Sequence, residues 1–304
     1  MFSIKRTSRV VAGAGLGLAA LLALTACNSG SPTTPGATEG GEAEGGEALW
    51  EVAEGVELDS PTFERATEAG KIVIGVKADQ PGLGYEDAVT GERTGFDVDI
   101  ARWIAASLGF SEDDDTIEWK TVPSANREQE IINGGVDFYV GTYSMTDARD
   151  EQIDFAGPYF ITGQGLLVRA DDDTINGPDD LADKVTCSVT GSTPLQRIRD
   201  EYNGEVTERQ TYSECVEQLL AGQVDAITTD EAILAGYVAQ DPDNLKLTGE
   251  IFSEERYGVG ITDGDSALQE HINTLFTDGG DVWTALFEQH LAPAGVEAEQ
   301  PAVD

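Results

Sequence analysis

The sequence predicts an α/β protein built from two lobes. Three observations indicate this: short apolar runs alternate with amphipathic stretches from about Ser60 onward, one helix-glycine-strand pattern occurs twice, and two extended segments lie between and after its copies. Such alternation is typical of α/β architectures with largely parallel sheets. The chain has 304 residues, 40% of them hydrophobic, which is enough for one large or two ordinary domains.

Apolar periodicity predicts the elements in order. The run "KIVIGVK" (71–77) is predicted to be a strand, "GFDVDIARWIAASLGF" (95–110) a helix and "TIEWKTV" (116–122) a strand. The apolar side of that helix is formed by Val98, Ile100, Ala101, Ile104, Ala105 and Leu108. Two later runs, "VDFYVGT" (136–142) and "VDAITTD" (224–230), are again predicted strands.

The repeated pattern is "EIINGGVD" (130–137) and "QLLAGQVD" (218–225), at an offset of 88 residues. Each copy has two aliphatic residues, a glycine two positions after them, and Val-Asp at the start of an apolar strand. This order predicts a helix that ends at a glycine and leads into a strand. The repeat suggests two similar lobes, although helix-glycine-strand junctions also recur in any α/β protein.

The extended segments 154–173 and 253–262 are the candidate hinge crossings, since a chain that enters a second lobe and returns needs two of them. Two helical stretches follow the second segment and are predicted to pack back on the first lobe. The predicted ranges are 60–160 and 257–296 for the first lobe, 161–256 for the second and 297–304 for a tail.

The N-terminus has the order of an export signal: basic residues, an apolar run from Val10 to Ala26, and then Cys27. The sequence "LTAC" (24–27) resembles the bacterial lipobox, so residues 1–26 are predicted to be removed and Cys27 lipidated. The protein would then be extracytoplasmic and anchored by lipid to the cell membrane. An uncleaved anchor or an ordinary signal is the alternative. Residues 27–59, rich in Ser, Thr, Pro, Gly and unopposed Glu, are predicted to be a disordered acidic tether.

Composition and motifs exclude several classes. With 18 basic and 57 acidic residues the net charge is -39, which disfavours nucleic acid as a partner. No G-x-S-x-G, Walker or H-E-x-x-H motif occurs, and the two histidines, His271 and His290, lie on late amphipathic stretches. We therefore predict no metal, no cofactor and no catalysis. Once the leader is removed, Cys187 and Cys215 form an even pair in an exported chain, which predicts a disulfide; two buried thiols are the alternative.

Arginines are scarce in this chain, and Arg127 and Arg149 bracket one segment. Arg127 follows the loop "VPSAN" (122–126), and Arg149 follows the loop "GTYSMTDA" (141–148) after a predicted strand. Ligands of α/β sheets gather at the carboxyl ends of strands, where these loops lie. Ser144 or Thr146 is a candidate cap for the short helix with Arg149, which would expose backbone N–H groups to an anion. The alternative is a pair of surface arginines with carboxylate neighbours.

At these residues the sequence resembles the extracytoplasmic solute-binding proteins of ABC importers for polar amino acids, and among them the glutamate-binding lipoproteins of actinobacteria. The resemblance extends from about Thr62 to Leu291. The matching segments are "GVKADQPGLGY", "TGFDVDIARWIA", "PSANREQEIINGGVDFYVGTYSMTDARDEQIDFAGPYF", "CSVTGSTP", "TYSECVEQLLAGQVDAITTD" and "YGVGI". The fold implied is the periplasmic-binding-protein-like (Venus flytrap) fold, in which two α/β lobes joined by two crossings close around the ligand.

The resemblance also implies residue roles. The ligand's α-carboxylate would meet Arg149, its α-ammonium Asp230, and the side-chain carboxylate of an acidic ligand Arg127. The implied supporting residues are Thr142, Ser144, Thr193 and Ser192 near the α-carboxylate, Ser124 and Lys77 near the side chain, and Tyr85 as a stacking aromatic.

The function expected from the resemblance is a lipid-anchored, monomeric receptor that captures L-glutamate or L-aspartate and delivers it to a permease and its ATPase. Two alternatives belong to other classes. The first is a sensory module, in which the cleft between the lobes would report the ligand to a signalling partner. The second is an enzyme, since a few relatives of this fold are cyclic-acid dehydratases; Glu231 is the candidate general acid.

Overall fold

The computed structural model describes residues 49–202 and 205–303. The predicted signal peptide, Cys27 and the tether up to residue 48 lie outside the described residues. Within the described ranges, no helix combines the length and the apolar character that crossing a bilayer requires.

The described ranges contain the following elements. The strands are β1 Ile72–Val76, β2 Asp79–Gln80, β3 Gly84–Glu86, β4 Arg93–Thr94, β5 Ile117–Thr121, β6 Phe138–Tyr139, β7 Asp154–Thr162, β8 Gln164–Arg169, β9 Val185–Val189, β10 Glu205–Arg209, β11 Ala226–Asp230, β12 Leu245–Leu247 and β13 Glu255–Ile261. The α-helices are α1 Pro61–Ala69, α2 Phe96–Ser107, α3 Arg127–Ile132, α4 Asp147–Asp150, α5 Thr193–Glu201, α6 Tyr212–Leu220, α7 Glu231–Gln240, α8 Ser266–Asp278 and α9 Gly280–His290. Short 3₁₀ turns cover Ser124–Asn126, Pro178–Leu181 and Ala292–Ala294.

Two five-stranded sheets form the centres of two lobes. The first has the order β5-β1-β6-β13-β7 and the second β10-β9-β11-β8-β12, while β2, β3 and β4 form a small antiparallel sheet. Strand β1 is parallel to β5 and β6, and β9 is parallel to β10 and β11. The other pairings in both large sheets are antiparallel. The α/β prediction is confirmed, and each sheet is parallel on one side and antiparallel on the other.

The chain crosses between the sheets twice, and the two crossings lie side by side. It leaves the first sheet after Thr162, enters the second at Gln164, and returns between Leu247 and Glu255. The Gln164 backbone N–H donates to Ser253 Oγ at 2.9 Å, which joins the crossings. Both lie within or next to the segments expected to be hinges. Helices α8 and α9 then pack on β7 and α2 of the first lobe.

The repeated helix-glycine-strand pattern occupies equivalent places in the two lobes. Helix α3 is followed by Gly134 and leads to β6, and α6 is followed by Gly222 and leads to β11. The two glycines have φ of 65° and 69°. Residues with a Cβ rarely adopt this left-handed conformation, which explains the glycine after each helix.

The tether prediction is wrong for residues 49–59, because this segment contains apolar side chains that the composition argument overlooked. Trp50, Val56 and Leu58 pack against the core, and the Ala53 N–H donates to the Ala106 carbonyl at 2.8 Å. The C-terminal tail is also held in place, since Gln300 Nε2 donates to the Phe276 carbonyl at 2.7 Å. The ordered body therefore begins before Ser60.

The predicted disulfide is confirmed. It joins Cys187 in β9 to Cys215 in α6, with Cα atoms 5.6 Å apart and both residues fully buried. It fixes α6 on the second sheet. The two histidines hold helices together, since His271 Nε2 lies 2.9 Å from Ser107 Oγ and His290 Nε2 lies 2.6 Å from Asp99 Oδ2.

Candidate ligand-binding site

A small, nearly closed cavity lies between the two lobes, with a volume of about 10 Å³. This is room for about one water molecule, so a solute as large as an amino acid requires the lobes to move apart or the lining side chains to shift. The side chains that line it are Ser124, Arg127, Thr142, Ser144, Ser192, Thr193, Pro194, Tyr212, Asp230 and Ile233. Most of the sequence-predicted site residues are among them, and both lobes contribute.

Arg149 lies on α4 and reaches both lobes from the edge of the cavity. Its Nη1 donates to the Ser144 carbonyl at 2.5 Å and to Thr193 Oγ1 at 3.1 Å. Its Nε lies 3.2 Å from a Glu128 carboxylate oxygen. Burial and the nearby Arg127 lower the pKa of Arg149 to about 10. Thr146 occupies the N-cap position of α4, but its side chain makes no capping hydrogen bond, so that expectation is wrong.

Arg127 begins α3 and is 2% exposed. Its Nε donates to the Ser124 carbonyl at 3.1 Å, and its Nη1 to the Thr142 carbonyl at 3.4 Å. Its Nη2 donates to the Gly191 carbonyl at 3.2 Å, as does Nη2 of Arg149. The two guanidinium groups therefore converge on one carbonyl of the second lobe.

Lys77 follows β1 and is buried next to Arg127. Its Nζ donates to Ser124 Oγ at 2.7 Å and to the Val122 carbonyl at 3.4 Å. Burial, and then the positive charge of Arg127, lower the pKa of Lys77 to about 7. In the part of the chain that the structure describes, neither Lys77 nor Arg127 forms an ion pair with a carboxylate. Lys77 is not among the side chains that line the cavity, but with Arg127, which is, it forms a cationic pocket whose hydrogen bonds go to carbonyl and hydroxyl oxygens. The Asp79 and Asp97 carboxylates offset part of the Lys77 charge without forming an ion pair with it.

Asp230 ends β11 on the opposite side of the cavity. Its Oδ2 accepts a hydrogen bond from the Tyr257 hydroxyl at 2.7 Å. Its Oδ1 is buried and has no hydrogen-bond partner among the described residues. Burial, and then repulsion from Glu255, raise the pKa of the Asp230 carboxyl above its ordinary value of 3.8. An unsatisfied buried carboxylate oxygen that lines a cavity is an acceptor available to a cationic ligand group.

The loop before α5 brings the second lobe to the arginines. Ser192 is the N-cap of α5, and its Oγ accepts from the Leu195 N–H at 3.2 Å. Gly191 has φ of 80°, and a Cβ there would lie 2.7 Å from the Ala125 Cα. Only glycine permits this approach, which places the Gly191 carbonyl and Thr193 within reach of both arginines.

The structure adds residues that the sequence analysis missed. Asp97, fully buried on α2, accepts from the Thr142 N–H and from the Tyr159 hydroxyl, both at 2.9 Å. It holds Thr142 at a φ of 47°, which a β-branched residue rarely adopts. Gln80 Nε2 donates to Thr142 Oγ1 at 3.1 Å. The signal was in the sequence, since Asp97 is an acidic residue within an apolar helix face.

An aromatic residue that the sequence analysis did not name lies beside the cations. Tyr85 lies in β3, paired with Asp79 of β2, and is not among the side chains that line the cavity. The centre of the Tyr143 ring instead lies 4.1 Å from Arg127 Cζ and 4.9 Å from Arg149 Cζ. Tyr143 thus stacks between two cations, where the electron-rich face of the ring offsets part of their repulsion. Among the described residues, no cluster of His, Cys, Asp and Glu suits a metal ion.

A fold of two lobes with a polar cavity between them defines a protein that encloses a small solute. Comparison with known families agrees: residues 72–279 match the model of "Bacterial extracellular solute-binding proteins, family 3". The chain belongs to this family, so the predicted family and the role as a solute-binding protein are confirmed.

Similar proteins include receptors for several amino acids. The glutamate-binding protein GluB of Corynebacterium efficiens is 39% identical over 285 residues, which are 90% of this chain and 87% of the relative. The glutamine-binding protein of Geobacillus stearothermophilus is 40% identical over 253 residues, 81% of this chain and 90% of the relative. A solved ancestral arginine-binding protein bound to arginine has a TM-score of 0.65 and 30% identity, covering 73% of this chain and 98% of its own. A solved cysteine-binding protein from Campylobacter jejuni has a TM-score of 0.72 and 26% identity, covering 80% of this chain and 98% of its own. The two-lobed Venus flytrap fold is thereby confirmed.

Proposed function

We propose that this protein captures L-glutamate between its lobes and delivers it to an ABC permease and its ATPase. One observation carries the proposal: Lys77 and Arg127 form a buried cationic pocket without a carboxylate partner among the described residues. Isolated buried charges cost several kcal/mol, so a ligand carboxylate that enters this pocket gains both hydrogen bonds and charge compensation.

The proposed pose assigns each charge of the ligand to one group of residues. The α-carboxylate binds Arg149 and Thr193, which belong to different lobes; Arg149 Nη1 already donates to Thr193 Oγ1 at 3.1 Å. The α-ammonium binds Asp230, whose Oδ1 lacks a hydrogen-bond partner in the described part of the chain. The side-chain carboxylate binds Arg127 and Lys77, since guanidinium and ammonium groups give strong charge-assisted hydrogen bonds.

The charges of the cavity favour glutamate over glutamine. Glutamine would leave the cations of the Lys77 pocket uncompensated, and specificity depends on such unpaired charges as much as on attraction. Similarity does not separate the two ligands, because a glutamate-binding and a glutamine-binding relative are 39% and 40% identical to this chain. L-aspartate, which has the same charges on a shorter side chain, is the second candidate.

A thermal-shift screen of the twenty amino acids tests the proposal. A ligand that binds only the folded protein raises its melting temperature in proportion to the logarithm of its concentration over Kd. We expect the largest shift with L-glutamate, a smaller one with L-aspartate and little with L-glutamine. A shift with glutamine but not with glutamate would refute the proposal that the cationic pocket of Lys77 and Arg127 binds the side-chain carboxylate.

Anchoring and delivery complete the proposal. Lipidation at Cys27 would tether a monomeric receptor to the outer face of the cell membrane, as the lipobox-like "LTAC" suggests. Metabolic labelling with a palmitate analogue, compared between the wild type and Cys27→Ala, tests the anchor. Genes for a permease and an ATPase beside this one would favour import, whereas their absence would favour the sensory alternative.

We further propose that the protein is not an enzyme. The dehydratase alternative requires a general acid in the cavity, and its candidate, Glu231, is not among the side chains that line the cavity. The Glu231 N–H donates to the Gly163 carbonyl at 2.8 Å, so its backbone joins α7 to the crossing. Incubation with a prephenate-like cyclic acid should yield no product, and dehydration above the uncatalysed rate would contradict this.

A further inference from the structure

A second contact between the lobes extends beyond the cavity lining and shares only Tyr212 with it. It joins the segment Asp79–Pro81 of the first lobe to helices α6 and α7 of the second. Asp79 Oδ2 accepts from the Tyr212 N–H at 2.8 Å and from the Ser213 N–H at 3.4 Å. The Tyr237 hydroxyl also donates to the Asp79 carbonyl oxygen and lies 3.4 Å from its Oδ2.

Helix α6 depends on Asp79 because its own cap covers only part of its first turn. The N-cap Thr211 accepts from the Glu214 N–H, and the Glu214 side chain returns a bond to the N-cap backbone. That arrangement leaves the N–H groups of Tyr212 and Ser213 without a partner from their own helix, as at any helix start. Asp79 supplies a negative oxygen to these two groups, where the helix dipole also favours it.

Helix α7 meets the same segment through a glycine. A Cβ at Gly236 would lie 2.1 Å from the Pro81 carbonyl oxygen and 3.0 Å from its carbonyl carbon. Gly236 lies inside α7, where it lowers helix stability relative to alanine. The close approach of Pro81 from the first lobe explains why glycine, which is unfavourable within a helix, occupies this position.

We propose that Asp79 and Gly236 form a closing latch that positions the second lobe over the ligand. This inference rests on the proposed capture of an amino acid by lobe closure. Tyr212 connects the latch to the site, since its N–H binds Asp79 while the residue lines the cavity. The latch contacts and the ligand contacts both require the lobes to be together, so each increases the population of the closed form that the other needs.

Calorimetric titration of L-glutamate into the wild type, Gly236→Ala and Asp79→Ala tests the latch. Gly236→Ala should strengthen α7 while obstructing closure, and Asp79→Ala should remove the charged acceptor. We expect each variant to bind at least about tenfold more weakly, since apparent affinity falls with the fraction of closed protein. Gln240→Ala, at the exposed end of the same helix, should retain the wild-type Kd.

Small-angle X-ray scattering at saturating ligand supplies a second readout. Gly236→Ala should keep a larger radius of gyration than the liganded wild type. Wild-type affinity in both latch variants, or weaker binding with an unchanged radius, would overturn the latch. If the wild type binds a different amino acid, the proposed specificity fails, and the same comparison with that amino acid still decides the latch.

Discussion

Two buried arginines of the first lobe, Arg93 and Arg127, differ in what neutralises them. Arg93 is 9% exposed and pairs with the Glu86 carboxylate, while its Nη2 also donates to Thr121 Oγ1 at 2.7 Å. Arg127 is 2% exposed, and among the described residues its hydrogen bonds go to three backbone carbonyls. The two arginines are similarly buried, but a carboxylate compensates the charge of Arg93, whereas backbone carbonyl dipoles compensate that of Arg127.

The difference does not reflect a shortage of acids. The chain has 57 acidic residues against 18 basic ones, and cations elsewhere in the first lobe pair with them, as Arg65 does with Asp137 at 2.6 Å and Lys120 with Glu130 at 2.6 Å. The absence of an ion pair for Lys77 and Arg127 among the described residues of so acidic a protein is therefore what a site for a carboxylate ligand would require. Arg149 differs from these two cations, since it already pairs with Glu128.

Arg149→Gln should have the largest effect on binding. Removing one partner of a buried charge pair costs about 2–5 kcal/mol, so the affinity for glutamate and for every other amino acid should fall by roughly 30-fold to several thousandfold. Titration calorimetry measures this. Arg102→Gln is the matched control, because Arg102 pairs with Asp99 and Glu112 and does not line the cavity, and its loss should leave Kd within about twofold. Unchanged binding in Arg149→Gln would contradict the assignment.

Arg127→Gln should alter specificity more than general binding. The glutamate affinity should fall by roughly 30- to 100-fold, since a charge-assisted hydrogen-bond pair is lost, whereas glutamine affinity should be unchanged or higher. The ratio of the two dissociation constants, measured side by side, is the readout. An equal loss for both amino acids would show that Arg127 meets the α-carboxylate instead.

Lys77→Met should separate stability from binding. The pKa of Lys77 is about 7 in the folded protein against 10.5 ordinarily, so charging it is unfavourable on folding. This cost is fully present below about pH 7 and is lost as the pH rises to the ordinary value. Met at this position should stabilise the free protein by roughly 1–4 kcal/mol at neutral pH and weaken glutamate binding about tenfold. Urea unfolding should show that the variant's gain in the free energy of unfolding is smaller near pH 10 than at pH 7. A Met variant less stable than the wild type at pH 7 would contradict the predicted cost of burying Lys77.

The two lobes, and the charged residues that the structure brings together at the candidate site, could be predicted from the sequence, because each depended on local pattern or on residue scarcity. The repeated pattern ending at Gly134 and Gly222 predicted two similar lobes, and Arg127 and Arg149 stood out among few basic residues. Both signals are readable along the chain without knowledge of tertiary contacts.

The rest of the site depends on contacts between residues that are distant in sequence. Asp97 supports Thr142 across 45 positions, and Asp79 meets Tyr212 across 133. Tyr143 lies beside the cations because the loop after β6 turns its ring between the two arginines. The tether prediction fails at residues 49–59 for a related reason. A few apolar side chains in this polar segment pack against a surface that only the folded lobe provides.

The smallest expected effect is the pH dependence of binding. It tests specifically whether Asp230 and Lys77, on opposite sides of the ligand, meet opposite charges of that ligand. Glutamate requires an ionised Asp230 for its ammonium and a protonated Lys77 for its side-chain carboxylate. Burial works against both states, because it raises the pKa of Asp230 above 3.8 and lowers that of Lys77 to about 7. Below the raised pKa of Asp230, binding must expel a proton, so affinity should fall by up to about tenfold per pH unit.

Above about pH 7 binding must instead place a proton on Lys77, so affinity should fall again with a similar slope. Calorimetry from about pH 5 to about pH 9 should therefore give a maximum near neutrality. Lys77→Arg separates the two sides, because a guanidinium stays charged throughout this range and should abolish only the alkaline decline. A flat profile in the wild type would mean that ligand binding changes neither protonation state, and that neither residue touches the ligand's charges.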